Sequence, residues 1–180
     1  MSVVSVLGVA AAFLGLRWSP AFFLTSTVLI WVGATFVGNA LRRAGQPEPM
    51  PFGPAMVGLA IAAAVVGIVF IPLTQTPEEF PQQPDTIFHL GVVQWMLERG
   101  DISSLHAAGF SSASGTGFYP AAFHGVVATL AQLSGASATV STSALVLVIA
   151  AVVWPLGAML LSRVVLGPGP AVVISAASPR

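Results

Sequence analysis

Three side chains able to move a proton stand out in a chain otherwise built of apolar residues. They are Asp85 and His89 within Gln82-Gln83-Pro84-Asp85-Thr86-Ile87-Phe88-His89, and His124 within Phe118-Tyr119-Pro120-Ala121-Ala122-Phe123-His124. A carboxylate and two imidazoles can share a proton, act as base toward a hydroxyl, or ligate a divalent cation. Keeping ionisable groups close to a bilayer carries a desolvation cost, which makes these residues candidates for function rather than scaffold. The i, i+4 spacing places Asp85 and His89 one above the other on a helix. At about 100° per residue, Gly91, Gln94 and Glu98 form a polar stripe. Asp85 and His89 fall on the opposite side among Phe88, Val92, Trp95 and Met96, which predicts that both face the apolar surroundings.

Each of these residues also has a purely structural reading, and the residues alone leave both open. Asp85, directly after Pro84, suits a helix N-cap whose carboxylate accepts a bond from a backbone N–H near Phe88. His89 suits an amphipathic side chain at headgroup level, and His124 a histidine bonded to a backbone carbonyl. Tyr119 and Pro120 suit the start of an interfacial helix as well as a ligand contact. A divalent metal on Asp85, His89 and His124 is a further option, with ligands drawn from one helix and a distant one.

Stepping outward, the elements that position these groups are membrane-embedded. Hydrophobic residues make up 56% of the 180, charged residues 7%, and mean hydropathy is +0.91. These values lie far from soluble-domain averages and define an all-α, multi-pass membrane protein. The net charge is zero and the six basic residues, all Arg, are scattered, so nucleic acid is excluded as a partner. No Cys is present, which removes disulfides, thiolate metal sites and thiol nucleophiles. The absence of Lys beside abundant Ala suggests a GC-rich bacterial source.

A spanning helix needs roughly 20 mostly apolar residues. Residues 20–41, 54–73 and 139–162 meet that length without a charge, and 2–16 reads as a short or tilted fourth helix in front of them. Pro20 and Pro54 suit first helical positions, and the connector from Arg42 to Gly53, with Pro47, Pro49 and Pro51, cannot be helical. Between the spans, residues 74–138 form a loop with two juxtamembrane helices, about 85–99 and 118–133. The Ser-, Gly- and Ala-rich stretch from Asp101 to Gly117 reads as a flexible loop, suited to a substrate lid. Small residues such as Gly58, Ala62 and Ala63, or Gly33 with Gly38, suit helix packing. Arg42 and Arg43 end one span and Arg163 another, so both ends are assigned to the cytoplasm. The N-terminus is then cytoplasmic, loop 74–138 is external, and Arg17 is the exception. Glu78 and Glu79 read as solvated loop charges. Beyond Arg163 a run broken by Gly167-Pro168-Gly169-Pro170 reads as an incomplete helix. No GxxxxGK[ST], HExxH, GxSxG or GxGxxG pattern is present.

A spanning helix followed by Pro84-Asp85, then Phe88-His89 on a helix ending at Glu98-Arg99-Gly100-Asp101, then Phe118-Tyr119-Pro120 with His124, resembles the first external loop of GT-C glycosyltransferases. More narrowly, together with the Gly15-Leu16-Arg17 to Pro20 passage, it is similar to a group of large actinobacterial multi-pass proteins of that fold. The resemblance implies transfer of a sugar from a polyprenyl-phosphate donor to an envelope glycan or lipid acceptor at the external face of the bacterial cytoplasmic membrane. Asp85 matches the family's first-loop acid, which implies the role of catalytic base. His89, Tyr119 and His124 would contact substrate, and some relatives use a divalent ion. Two departures stand out: Asp85 has no adjacent second acid, and the family fold has many more spanning helices. The chain is therefore expected to be an N-terminal fragment, a truncated frame or half of a split protein completed by a second chain, inactive alone. The rival expectation is a non-enzymatic membrane module, either a transporter fragment or an assembly subunit.

Overall fold

The computed structural model describes residues 2–41, 52–70, 72, 76, 78, 79, 84–115 and 117–166. Arg42, Arg43, the Pro-rich connector up to residue 51, residues 71 and 73, and the expected helix beyond 166 lie outside the described residues. The described chain is all-helical: α1 (Ser2–Phe13), α2 (Pro20–Leu41), α3 (Phe52–Phe70), α4 (Pro84–Arg99), a 3-10 turn (Ala107–Phe110), α5 (Ala122–Ser134), α6 (Ala138–Val148), a π-helical segment (Ile149–Val153) and α7 (Trp154–Leu166). Among the described residues, three helices are long and apolar enough to cross a membrane: Pro20–Asn39, Phe52–Phe70 and the continuous run Ala138–Val165. The protein is thus a helical membrane protein, and its elements fall into two compact units.

The first unit comprises Met1–Gln46 and Phe80–Thr142, and it holds every candidate site residue. Helix α1 is shorter than the expected 2–16. Gly15, with φ of 65°, turns the chain, and the bonds Leu16 N–H to Ala11 O (2.9 Å) and Gly15 N–H to Ala12 O (3.1 Å) close a Schellman motif. Its 12 residues reach about 18 Å, well short of a hydrocarbon core of about 30 Å. Instead α1 packs on α5 through small residues. Ile102, 3% exposed, is wedged so closely against Gly8 and Gly125 that a Cβ on either would crowd it, at 2.9 Å and 3.1 Å respectively.

Helix α4 runs between the Pro84 and Gly100 read from the sequence. Gly100, φ 64°, donates its N–H to Met96 O at 2.8 Å, and its positive φ lets the chain leave α4 at no Cβ cost. The buried stripe of α4, Val92, Val93 and Met96, packs against α5, whose own buried face includes His124, Val127, Ala128 and Ala131. Helix α5 begins at Ala122, four residues later than the expected 118. A residue before proline is held out of the α region, so Tyr119 stays extended. Its N–H is bonded to Ser104 O (2.8 Å) and that of Ala121 to Ser104 Oγ (3.2 Å).

The stretch 101–117 is not the loose lid expected. Asp101 Oδ1 accepts the Ser103 N–H at 2.8 Å, Ser103 is fully buried, and Ala108 N–H bonds Gly117 O at 3.0 Å. Phe110 lies so tightly over Gly91 of α4 that a Cβ there would meet its ring at 2.3 Å. The absence of a side chain at Gly91 therefore lets the loop seat on the helix.

The second unit comprises Pro47–Glu79 and Ser143–Arg180. Gly58 and Ala62 of α3 are buried in it, as the small-residue reading expects, whereas Ala63 is exposed. Pro155 and Met159 of α7 are fully buried. The expected uninterrupted helix 139–162 carries a π-helical segment, marked by the Trp154 N–H bonded to Ile149 O. It ends at Val153, immediately before the Trp154-Pro155 pair whose proline has no N–H to continue the ladder, so the break has an evident cause. Among the described residues, nothing lies within 4 Å of where a Cβ would stand on Gly33 or Gly38 of α2.

Candidate functional site

The i, i+4 relation read from the sequence is present: His89 Nε2 stands 3.4 Å from Asp85 Oδ2. Their surroundings differ from the expected apolar face. The Asp85 side chain is 86% exposed and that of His89 35%, because Pro84, Asp85 and Ile87 in the first turn of α4 are all exposed. Asp85 is the second residue of α4, within the first turn rather than before it, where the partial positive charge of the helix N-terminus favours a carboxylate.

What the sequence could not reveal is the partner of His89 on its inner side. His89 Nδ1 lies 2.8 Å from His124 Nε2, joining α4 to α5 across 35 positions. The Tyr119 hydroxyl approaches the same Nδ1 at 3.5 Å. The three candidate residues beyond Asp85 therefore converge, in a continuous line from the exposed carboxylate to the buried ring. Aromatic rings surround the line: Phe88 packs edge-on to Tyr119 and Phe110, and Tyr119 and Phe123 pack edge-on to His124. His124 is 3% exposed and sits behind His89 rather than at the surface. Its Nδ1 is buried without a hydrogen-bond partner among the described residues, so no carbonyl bond of the kind expected of a structural histidine is found among them.

Burial lowers the pKa of His124 from 6.5 to about 4, and the neighbouring His89 charge pushes it the same way. A depressed histidine pKa means that the unfolded chain binds the proton more readily. The stabilising contribution is therefore complete above pH 6.5 and is lost as pH falls from 6.5 toward 4. The loss on crossing that window amounts to roughly 3 kcal/mol. Thermal unfolding in detergent is expected to show a falling Tm across this range for the wild type and a flatter dependence for His124→Gln. Equal slopes for the two would remove His124 as the cause.

The metal option does not fit this geometry. Among the described residues no group of three or more His, Asp or Glu could hold a metal ion. Two imidazole nitrogens ligating one zinc at about 2.0–2.1 Å each would stand about 3.3 Å apart, whereas His89 and His124 face each other at hydrogen-bond distance.

Sequence reasoning passed over two further features. Asp101 Oδ2 and His106 Nδ1 pair at 2.7 Å, a contact for which the only local signal was the Asp101-x-Ser103 turn pattern. Trp18, 3% exposed, ties the α1–α2 turn to the site helices. Its backbone N–H bonds Gly100 O at 2.7 Å and its indole N–H bonds Thr129 Oγ1 of α5 at 2.9 Å. Arg17 beside it donates to Glu98 O at 3.4 Å and lies over Gly100.

Residues 1–178 match the model of a family of unknown function, DUF6541, and the chain belongs to that family. No curated protein and no solved structure matches it.

Proposed function

We propose that this DUF6541 chain forms the N-terminal, acceptor-side portion of a membrane glycosyltransferase of GT-C type, active once further spanning helices complete the fold. It would move a sugar from a polyprenyl-phosphate donor to a cell-envelope acceptor at the outer face of the bacterial cytoplasmic membrane. The observation that carries the proposal is an exposed carboxylate, Asp85, backed by His89 and the buried His124. A carboxylate so placed can reach a hydroxyl bound at the surface of α4. As the acceptor oxygen attacks the anomeric carbon, its O–H proton passes to Asp85. The bond from that carbon to the lipid phosphate breaks, and the phosphate leaves with the electron pair. His89 beside Asp85 and Tyr119 beside His89, both half-buried, contact the substrate; His124 is too deeply buried to do so.

The proposed orientation keeps the 84–134 region external but moves the N-terminus there as well. Helix α1 is too short to cross, and Trp18 joins the chain that follows it to Gly100 and Thr129 of the site region. Arg17 then departs from the positive-inside pattern because it covers the C-terminal end of α4. The chain has no Cys, so Ser2→Cys and Ser111→Cys provide single labelling sites. Both are expected to react with a membrane-impermeant maleimide in intact cells; protection of the Ser2→Cys thiol alone would restore a cytoplasmic N-terminus.

Sugar transfer itself is tested in membranes from cells with the gene deleted and then restored. Incorporation of label from a polyprenyl-phosphate sugar into envelope acceptors is expected to fall on deletion and to recover on complementation. Unchanged incorporation would leave the non-enzymatic membrane module as the better description.

A further inference from the structure

The hydrogen-bonding capacity of the Asp85–His89–His124 line admits few arrangements of protons. An ionised carboxylate only accepts, and each neutral imidazole has one N–H and one bare nitrogen. With Asp85 ionised, as a base must be, the His89 nitrogen facing it at 3.4 Å, Nε2, carries the proton. His89 Nδ1 is then the acceptor, and the N–H it receives at 2.8 Å belongs to His124 Nε2. That leaves His124 Nδ1 bare, in agreement with its lack of a donor or acceptor partner among the described residues. The opposite arrangement sets a His89 lone pair against the carboxylate. It also leaves an N–H on His124 Nδ1 buried with no acceptor, an expensive state for a donor. The other elements near His124 do not alter the balance: the described residues of α1 and α2 carry no titratable side chain, the Tyr119 hydroxyl of the preceding loop can donate to the same His89 Nδ1, and Asp101 and His106 of that loop pair with each other.

We propose that His124 is a positioning residue that locks the tautomer of His89: its Nε2–H, donated to His89 Nδ1, keeps the His89 proton on Nε2 and aimed at Asp85. The catalytic consequence rests on Asp85 being the base, but the tautomer does not. His89 in this form turns an N–H rather than a bare nitrogen toward the carboxylate 3.4 Å away. A proton taken up by Asp85 therefore has no vacant acceptor on the inner side. His124 closes the line, and release is to the outside.

The chain has three histidines, so selective ¹⁵N labelling of the imidazoles in micelles gives a spectrum readable ring by ring, with His106→Gln identifying the third. At pH 7.5 both His89 and His124 are expected to show a protonated Nε2 and a bare Nδ1. A His89 proton on Nδ1 would overturn the proposal, and this measurement needs no variant at the site. His124→Gln retains an N–H that can reach His89 Nδ1, whereas His124→Phe has none. The Gln variant is expected to keep the wild-type His89 tautomer and the Phe variant to release it into a mixture; an unchanged tautomer in the Phe variant would show that His124 is not the lock. In sugar transfer the Phe variant is expected to lose at least about tenfold in kcat, with KM little changed, and the Gln variant to recover most of it. Equal rates in the two would overturn the positioning role. Retained transfer by Asp85→Asn would instead remove the base assignment and leave the tautomer result standing, so the two proposals fail separately.

Discussion

Asp85→Asn is expected to lower sugar transfer by about 10²–10⁴-fold, the usual contribution of a positioned general base, while the protein still inserts and folds. The separation between the two effects follows from the position of the residue. Asp85 is 86% exposed and its contact is His89 at 3.4 Å, so little packing depends on it. The amide is nearly isosteric and its Oδ1 can still accept from His89 Nε2, but it cannot take a proton from an attacking hydroxyl. Removing a negative charge from the first turn of α4 weakens the helix by about 0.3–1 kcal/mol, too little to unfold the unit. Comparison of transfer rates at matched protein levels, with melting curves for both proteins, checks the prediction. Wild-type rates in the variant would end the assignment of Asp85 as base.

Trp18→Ala is expected to destabilise the first unit by about 3–5 kcal/mol, the range for truncating a buried aromatic. Trp18 packs on Phe22 and Phe23, at ring separations of 5.4 Å and 6.1 Å. Through Gly100 and Thr129 it joins the start of α2 to the end of α4 and the middle of α5. Trp18→Phe separates packing from hydrogen bonding. It keeps most of the apolar volume, and Thr129 Oγ1 still donates to Gly125 O at 2.7 Å, so the lost indole bond should cost only about 0.5–1.5 kcal/mol. Denaturation in detergent followed by near-ultraviolet circular dichroism would rank the three proteins. Alanine and phenylalanine variants of equal stability would mean that the ring contributes nothing beyond its N–H.

The features legible in the sequence are those whose causes are local. Helices α2 and α3 and the α6–α7 run are long and apolar enough to be read from length alone. Helix α4 reads as 85–99 from the sequence and runs Pro84–Arg99 in the structure, since a missing N–H at one end and a positive φ at the other are properties of single residues. Errors arose where a local rule needed a neighbour. The helical wheel set Asp85 opposite the polar stripe, but the exposure of the first turn of α4 outweighed the wheel. The run 118–133 reads as one helix from the sequence, but α5 begins only at Ala122, since Pro120 disfavours the α region for Tyr119. Residues 101–117 read as flexible because small residues carry no periodicity, yet Gly91 and Phe110 fit the loop to α4 closely.

By itself, then, the sequence determined that this is a helical membrane protein and that Asp85 and His89 share a helix four residues apart, since hydropathy and the 3.6-residue repeat act within a single segment. Only the tertiary structure decided that α1 docks on α5, that Trp18 reaches Gly100 and Thr129, and that His89 meets His124. The physical reason is that lipid tails and protein interiors are similarly apolar, so hydropathy does not say which face of a helix meets protein. That choice rests on close steric fits such as Ile102 between Gly8 and Gly125, and such a fit exists only once the helices have met.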